Sequence, residues 1–164
     1  MKITSEADAL YQAFDKHSPF QDASECSGCP IICSREWNVH WLLDIEVQHL
    51  SELQIKKRGN AYFFKDGRCA KFNNMCSIYQ KRPFECRINP LSIYEIDDEL
   101  CWIVYEICQR IKTGGVEFIQ KLEKVSRDLE LYLTPDILEN FRRISRVIRE
   151  TEPLESYMVL RRVG

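Results

Sequence analysis

Eight cysteines are the residues of this chain whose type and spacing can do chemistry, and all of them fall before residue 109. Cys26 and Cys29 form a C-x2-C knuckle, Cys33 follows four residues later, and Cys69, Cys76, Cys86, Cys101 and Cys108 complete the set. A tight C-x2-C turn aims two thiolates inward with little chain entropy left to lose. Pro30 suits the first position of a helix, whose unbonded amides would offset charge on nearby sulfur and favour the thiolate at Cys33. A C-x2-C pair alone also marks a redox dithiol, but the third cysteine and the proline argue against a simple thioredoxin-like pair. Four thiolates satisfy either tetrahedral zinc or a [4Fe-4S] cluster. Eight cysteines provide for one or two such centres, and two all-thiolate centres tilt the reading toward iron–sulfur over zinc. The count does not choose how the cysteines divide.

Composition sets the context. The chain has 164 residues, 45% hydrophobic and 29% charged, enough for a core of its own without cysteine staples. A formal net charge of −2 gives no broad cationic face, so no nucleic-acid partner is expected. The opening MKITSEADALYQAFDKH lacks the apolar stretch of a signal peptide. No run approaches the roughly 20 apolar residues of a spanning helix. A cytoplasmic location without a membrane partner follows as the expectation, and in a reducing compartment dense cysteine reads as metal ligation more than as disulfides.

The elements that would position the cysteines read as mainly α with a small β hairpin. The expected architecture is an irregular, metal-stapled cysteine-rich domain over residues 1–109, with a C-terminal helical extension, 110–164, packed on it. Ala7, Leu10, Tyr11 and Phe14 share a helical face that Ser5 would cap. The stretch from Pro30 to Lys57, with Trp37, Trp41, Leu42, Ile45, Leu50 and Leu53, reads as a long, mostly buried helix in which His40 and His49 are ordinary helical histidines. AYFFKDGRCAKFNN suggests a hairpin turning at Asp66-Gly67, with Cys69 just after it. Asn74 would cap a short helix carrying Cys76 and Tyr79, interrupted at Pro83 before Cys86. LSIYEI is a second extended candidate. DDELCWIVYEICQRIKTGG reads as helix again, which would put Cys101 and Cys108 on one face about 10 Å apart. Two helices follow, over roughly 116–131 and from Thr134-Pro135-Asp136 onward, the second with Glu139/Arg143 and Arg146/Glu150 as i,i+4 pairs. Arg142, Arg143, Arg146 and Arg149 read as a salt-paired, solvated face more readily than as a patch for an anionic partner.

The cysteine spacing carries a resemblance. CSGCPIIC, followed by Gly67-Arg68-Cys69, Cys76-Ser77-Ile78-Tyr79, Arg82-Pro83, Cys86-Arg87 and Pro90, resembles the YkgJ-like cysteine-cluster family, described by a CxxCxxCC pattern and as a zinc- or iron-chelating domain. The resemblance covers residues 24–108 and leaves the helical tail outside it. It implies all eight cysteines as candidate metal ligands, with Tyr79, Arg82, Pro83 and Arg87 supporting the ligand loop. Tyr79 and Phe84 would pack beneath that loop, Pro83 would fix the chain entering Cys86, and Arg87 would pair with sulfur or with a carboxylate such as Glu85 or Glu95. One departure is visible: Ser34, not cysteine, follows Cys33, so Cys101 or Cys108 would have to supply a ligand missing there.

The expected function is therefore a zinc- or iron-chelating protein holding one or two centres, [4Fe-4S] or zinc, with a structural or electron-handling role. Two alternatives stand beside it. One is a metal-dependent enzyme or protein-modification accessory, for which no residue has diagnostic catalytic spacing. The other is a zinc-stapled adaptor that meets a protein partner through its C-terminal helices.

Overall fold

The computed structural model describes residues 6–20, 40–50, 54–65, 72–73, 75–76, 79–151, 154 and 156–164. It is an α+β arrangement, which corrects the expectation of a mainly α chain with a single small hairpin. Helix α1 spans Glu6–His17, and three strands, β1 (Trp41–Leu42), β2 (Ile55–Arg58) and β3 (Ala61–Phe64), form an antiparallel sheet in the order β1-β3-β2. Strands β4 (Phe72–Asn73) and β5 (Met75–Cys76) pair with each other. After the short helix α2 (Phe84–Ile88), strands β6 (Leu91–Ile96) and β7 (Glu99–Tyr105) form a hairpin that β8 (Tyr157–Arg162) extends beyond helices α3 (Gln109–Glu130) and α4 (Pro135–Thr151).

Two stretches expected to be helical are strands, for one physical reason. Glu99–Tyr105 is buried from Leu100 onward on both faces, so the polar alternation that would mark a strand is missing. The turn that makes this strand is Asp97-Asp98, both with left-handed φ, 49° and 64°, joining Ile96 and Glu99 in register. Such a two-residue turn matches the twist of a hairpin, and Asp is among the few residues that tolerate it. Likewise, the long helix expected over 30–57 does not form in its described part. Trp41-Leu42 pair with Tyr62-Phe63, Leu43 is extended, a single 3₁₀ turn covers Asp44–Glu46, and Ile55–Arg58 pair with β3. The apolar residues there serve a sheet edge and a turn instead of one helix face. Tyr62–Phe64 are in a strand as expected, but the hairpin they form turns at Gly59-Asn60 and pairs β3 with β2, with Gly59 at φ 55°, while β4, after the expected turn, pairs with β5. The Asp66-Gly67 turn lies outside the described residues, as do Ser5, Cys26, Cys29, Pro30, Cys33, Trp37, Leu53, Arg68, Cys69 and Asn74.

Helix α4 is built as its periodicity predicts, whereas α3 begins at Gln109 and not near 116, and the helical extension expected over 110–164 ends in a strand, β8. In α4, Ile137, Phe141, Ile144, Val147 and Ile148 are buried along one stripe, and the Thr134 hydroxyl accepts the Ile137 N–H at 3.4 Å. In α3 the helix departs from helical backbone at Gly115, φ 56° and ψ −149°. The last strand then closes back on the centre of the molecule: β8 pairs with β7, with one extra residue, Leu160, between the partners of Trp102 and Ile103. Core rings meet edge-on, Phe14 with Phe84 at 4.4 Å and Trp41 with Phe141 at 5.1 Å between centroids, so α1, α2, β1 and α4 share one apolar interior. Among the described residues, no helix is long and apolar enough to cross a membrane.

Candidate metal centre

The described part of the cysteine-rich region centres on residues 79–88. A 3₁₀ turn, Tyr79–Lys81, leads through Pro83 into α2, where the Arg87 N–H closes the first turn on the Pro83 carbonyl at 3.1 Å. Five residues are too few for a helix to persist unaided. Two arginines supply the support. Arg87 is fully buried; its Nε donates to the Arg82 carbonyl at 2.8 Å, Nη2 to the Gln80 carbonyl at 2.8 Å, and Nη1 to the Asp15 carboxylate of α1. Its guanidinium lies 4.2 Å from the Tyr11 ring centroid. Arg82 donates to the Tyr79 carbonyl at 2.7 Å and to Asp15 at 3.4 Å, with its guanidinium 3.8 Å from the Tyr79 ring centroid. One planar fork thus fastens two carbonyls of the turn and ties it to α1, a task a lysine could not do with a single point charge. The expected carboxylate partners of Arg87, Glu85 and Glu95, are replaced by Asp15, and Glu95 instead faces the arginines of α4.

Two buried carboxylates hold the same segment from beneath: Glu46, which the sequence does not single out, and Glu85, expected only as a partner of Arg87. Glu46 accepts the Phe84 N–H at 2.7 Å, the Leu43 N–H at 2.8 Å and the Tyr11 hydroxyl at 2.9 Å. Burial pushes its carboxyl up to about 7, with those three donors pulling the other way. Tyr11 is raised as well, by its own burial first and then by the neighbouring charges of Glu46 and Cys86. Glu85 accepts the Trp41 N–H at 3.0 Å and faces His40 Nδ1 at 3.3 Å. His40 is therefore a buried partner of a carboxylate just before β1, not a residue of a long helix, and His49 lies in a turn. Nothing in the spacing of Glu46 or Glu85 announces these roles, because each carboxylate accepts a backbone N–H about 40 residues away, from Phe84 and Trp41 respectively.

The eight candidate ligands fall in different places. Cys86 is half-buried, the one residue of α2 that is not fully enclosed. Cys76 is in β5, in register with Phe72, and not in a short helix. Cys108 is buried immediately before α3, its N–H on the Tyr105 carbonyl at 3.2 Å. Cys101 is buried within β7, in register with Tyr94 and Arg162, and shares no helix face with Cys108. From Cys101 to Tyr105 alone the strand rises about 13 Å. Burial, then the charge of Glu99, pushes the Cys101 thiol up. Among the described residues, no group of three or more His, Cys, Asp or Glu side chains forms a metal-binding arrangement. Cys26, Cys29, Cys33 and Cys69 lie outside those residues, and for Cys76 only the backbone is described. Soft thiolate donors suit zinc or iron, and Cys86, on a braced and partly exposed segment, fits that chemistry; Cys101 and Cys108 are both enclosed in the apolar interior, Cys101 within a strand and Cys108 at the N-terminus of α3. Comparison of the chain with family models, with curated proteins and with solved structures found no match.

Proposed function

We propose that the chain binds zinc or an iron–sulfur cluster in a four-thiolate centre whose ligands come from Cys26, Cys29, Cys33, Cys69, Cys76, Cys86 and Cys108. The observation that carries this reading is the pairing of two cysteine blocks, C-x2-C-x3-C and C-x6-C-x9-C, with a brace of Asp15, Arg82 and Arg87 around the turn that leads to the last of them. Leaving out Cys101 leaves seven candidates, too few for two complete all-cysteine centres, so a single centre is the economical form. Zinc would close the fold; a [4Fe-4S] cluster would also carry an electron. The protein's own contribution is to keep the ligand turn in place and to offset thiolate charge with buried donors.

Purification without oxygen or chelator, followed by absorption spectroscopy and assays for zinc, iron and acid-labile sulfide, tests this directly. One four-thiolate centre per chain is expected. Cys29→Ser and Cys86→Ser should each lower bound metal and stability, whereas Cys101→Val and His49→Ala should leave metal content unchanged. Metal-free protein with the same cooperative unfolding would remove the reading. The adaptor alternative loses its main ground, since the apolar stripe of α4 is buried within the chain's own core.

A further inference from the structure

Arg142, Arg146 and Arg149 stand at i, i+4 and i+7 on α4, and all three turn to a single carboxylate, Glu95 of β6. Arg143, between them in sequence, goes elsewhere and meets Asp44 at 2.7 Å. Among the described residues, the sharing at Glu95 is stretched. Arg142 Nη1 lies 3.2 Å from Oε2, Arg146 reaches the two oxygens at 3.4 and 3.5 Å, and Arg149 Nη2 lies 3.1 Å from Oε1. Charge-assisted bonds of this type normally close to about 2.8 Å, as the Arg143–Asp44 pair does. One carboxylate neutralises only one of the three guanidinium charges.

Exposure and charge point outward. Glu95 is only 2% exposed, while Arg142, Arg146 and Arg149 are 34%, 56% and 48% exposed. The carboxylate thus lies beneath the three cations and holds one side of each, leaving further N–H groups of each guanidinium toward solvent. Among the described residues, Glu95 is the carboxylate these three arginines share, so three positive charges face one negative. Arg142 also donates to the backbone carbonyl of Asp98 at 3.0 Å, and the Asp98 carboxylate, if it draws in, reduces the surplus to one. Arg149 is tied to the Glu95 carbonyl at 3.0 Å as well as to its carboxylate, which fixes its orientation. Side chains already immobilised by a buried anion lose little entropy on meeting a second one.

We propose that Arg142, Arg146 and Arg149, pre-oriented by the buried Glu95, form a binding site for a phosphoryl dianion, free or carried on a small molecule. A planar guanidinium fork matches a phosphate oxygen pair, and the net positive charge around Glu95 favours an anion. This site is independent of the metal reading, since it lies on α4 and β6 and uses no cysteine.

Inorganic phosphate, titrated into the protein as purified at pH 7.5 and constant ionic strength, is the first probe, with chloride as control and glycerol phosphate as the ester arm. The side-chain Nε–H signals of the arginines report binding by NMR. Saturable shifts confined to Arg142, Arg146 and Arg149 are expected, weakened by about tenfold or more in Arg146→Gln, which loses a charge-assisted contact. Arg146→Lys, retaining charge without the fork, should fall between, and Arg143→Gln should bind as the parent does. Tighter binding of glycerol phosphate than of phosphate would identify an ester as the natural source, and the reverse order would identify free phosphate. Shifts no larger than those from chloride, or equal affinity in Arg146→Gln, would overturn the proposal and leave the arginines as a clamp of α4 on β6.

Discussion

At the scale of single residues, the most consequential group is Glu46, fully enclosed and holding Phe84, Leu43 and Tyr11 together. Its carboxyl is pushed up from 4.5 to about 7 by burial, so the folded protein holds a proton there that the unfolded chain releases. The sign of the linkage is fixed by that. Where the folded state binds more protons, stability falls as pH rises, here between about 4.5 and about 7, and the contribution is fully present only below that window. A difference of about 2.5 units corresponds to roughly 3 kcal/mol. Glu95 and Glu130 act with the opposite sign: burial raises each carboxyl, but hydrogen bonds from arginines outweigh it and leave each below its ordinary value. Their stabilisation is present at neutral pH and lost in acid. Denaturant unfolding of the parent and of Glu46→Gln at pH 5 and pH 8 separates the two. The parent should lose roughly 3 kcal/mol relative to the variant across that interval, because glutamine has no proton to release. Metal linkage, common to both proteins, cancels in the difference. Parallel pH profiles would show that Glu46 remains charged throughout, stabilised by its three donors.

At the scale of elements, glycine marks the one break in α3. Gly115 has φ 56° and ψ −149°, a region that residues with a Cβ essentially do not enter, while a Cβ on Gly114 would stand 2.5 Å from the Phe118 Cβ. Gly115→Ala should therefore cost about 1–3 kcal/mol through backbone strain alone, since open space surrounds it, and Gly114→Ala a similar amount through a clash in the buried Phe118 packing. Equal stability of parent and Gly115→Ala by chemical denaturation would mean that α3 straightens without penalty. The break was legible beforehand, because KTGG separates two helical patterns, and so were α1, α4 and the extended LSIYEI. These elements have one wet face or a recognisable cap, so their period survives in the sequence. Strand β7 was not legible, because LCWIVY is apolar on both faces and its turn, Asp97-Asp98, lacks the glycine that usually announces a hairpin. Trp41-Leu42 misled for a related reason: their spacing suits a helix, and only pairing with Tyr62-Phe63, about 20 residues away, makes them a strand. At the candidate centre the cysteines and arginines are visible by type, but Asp15 and Glu46 are not and Glu85 is legible only as a partner for Arg87: Asp15 meets arginines about 70 residues away, and the two buried carboxylates meet backbone donors about 40 residues away.

At the scale of the whole molecule, β8 decides whether the tail is an appendage or a part of the core. It lies on the edge of the β6-β7 hairpin, and its Arg161 joins the Trp102 indole N–H on the Glu130 carboxylate at the end of α3, with Trp102 donating at 2.7 Å. Three elements are thereby closed on one another, β7 by its ladder, α3 by Glu130 and β8 by Arg161, and the Gly164 N–H reaches the same carboxylate at 3.4 Å. Removing residues 157–164 would bare the β7 edge, a row of unsatisfied backbone groups beside buried Trp102, Ile103 and Val104. The truncated chain should unfold with a much lower midpoint in denaturant and tend to self-associate through that edge, which gel filtration reads as larger species. Glu130→Gln is the finer probe: it keeps the strand but weakens the clamp, and should cost about 1–3 kcal/mol, the range for charge-assisted bonds to a partly buried carboxylate. The centre proposed on the cysteines supplies a control, for none of them lies beyond residue 108. Metal content that survives in the truncated chain, with stability lost, would show the ligand turn and the sheet to be separately held. Unchanged stability of the truncated chain would instead mean that β8 adds nothing to a hairpin already complete with α3 and α4.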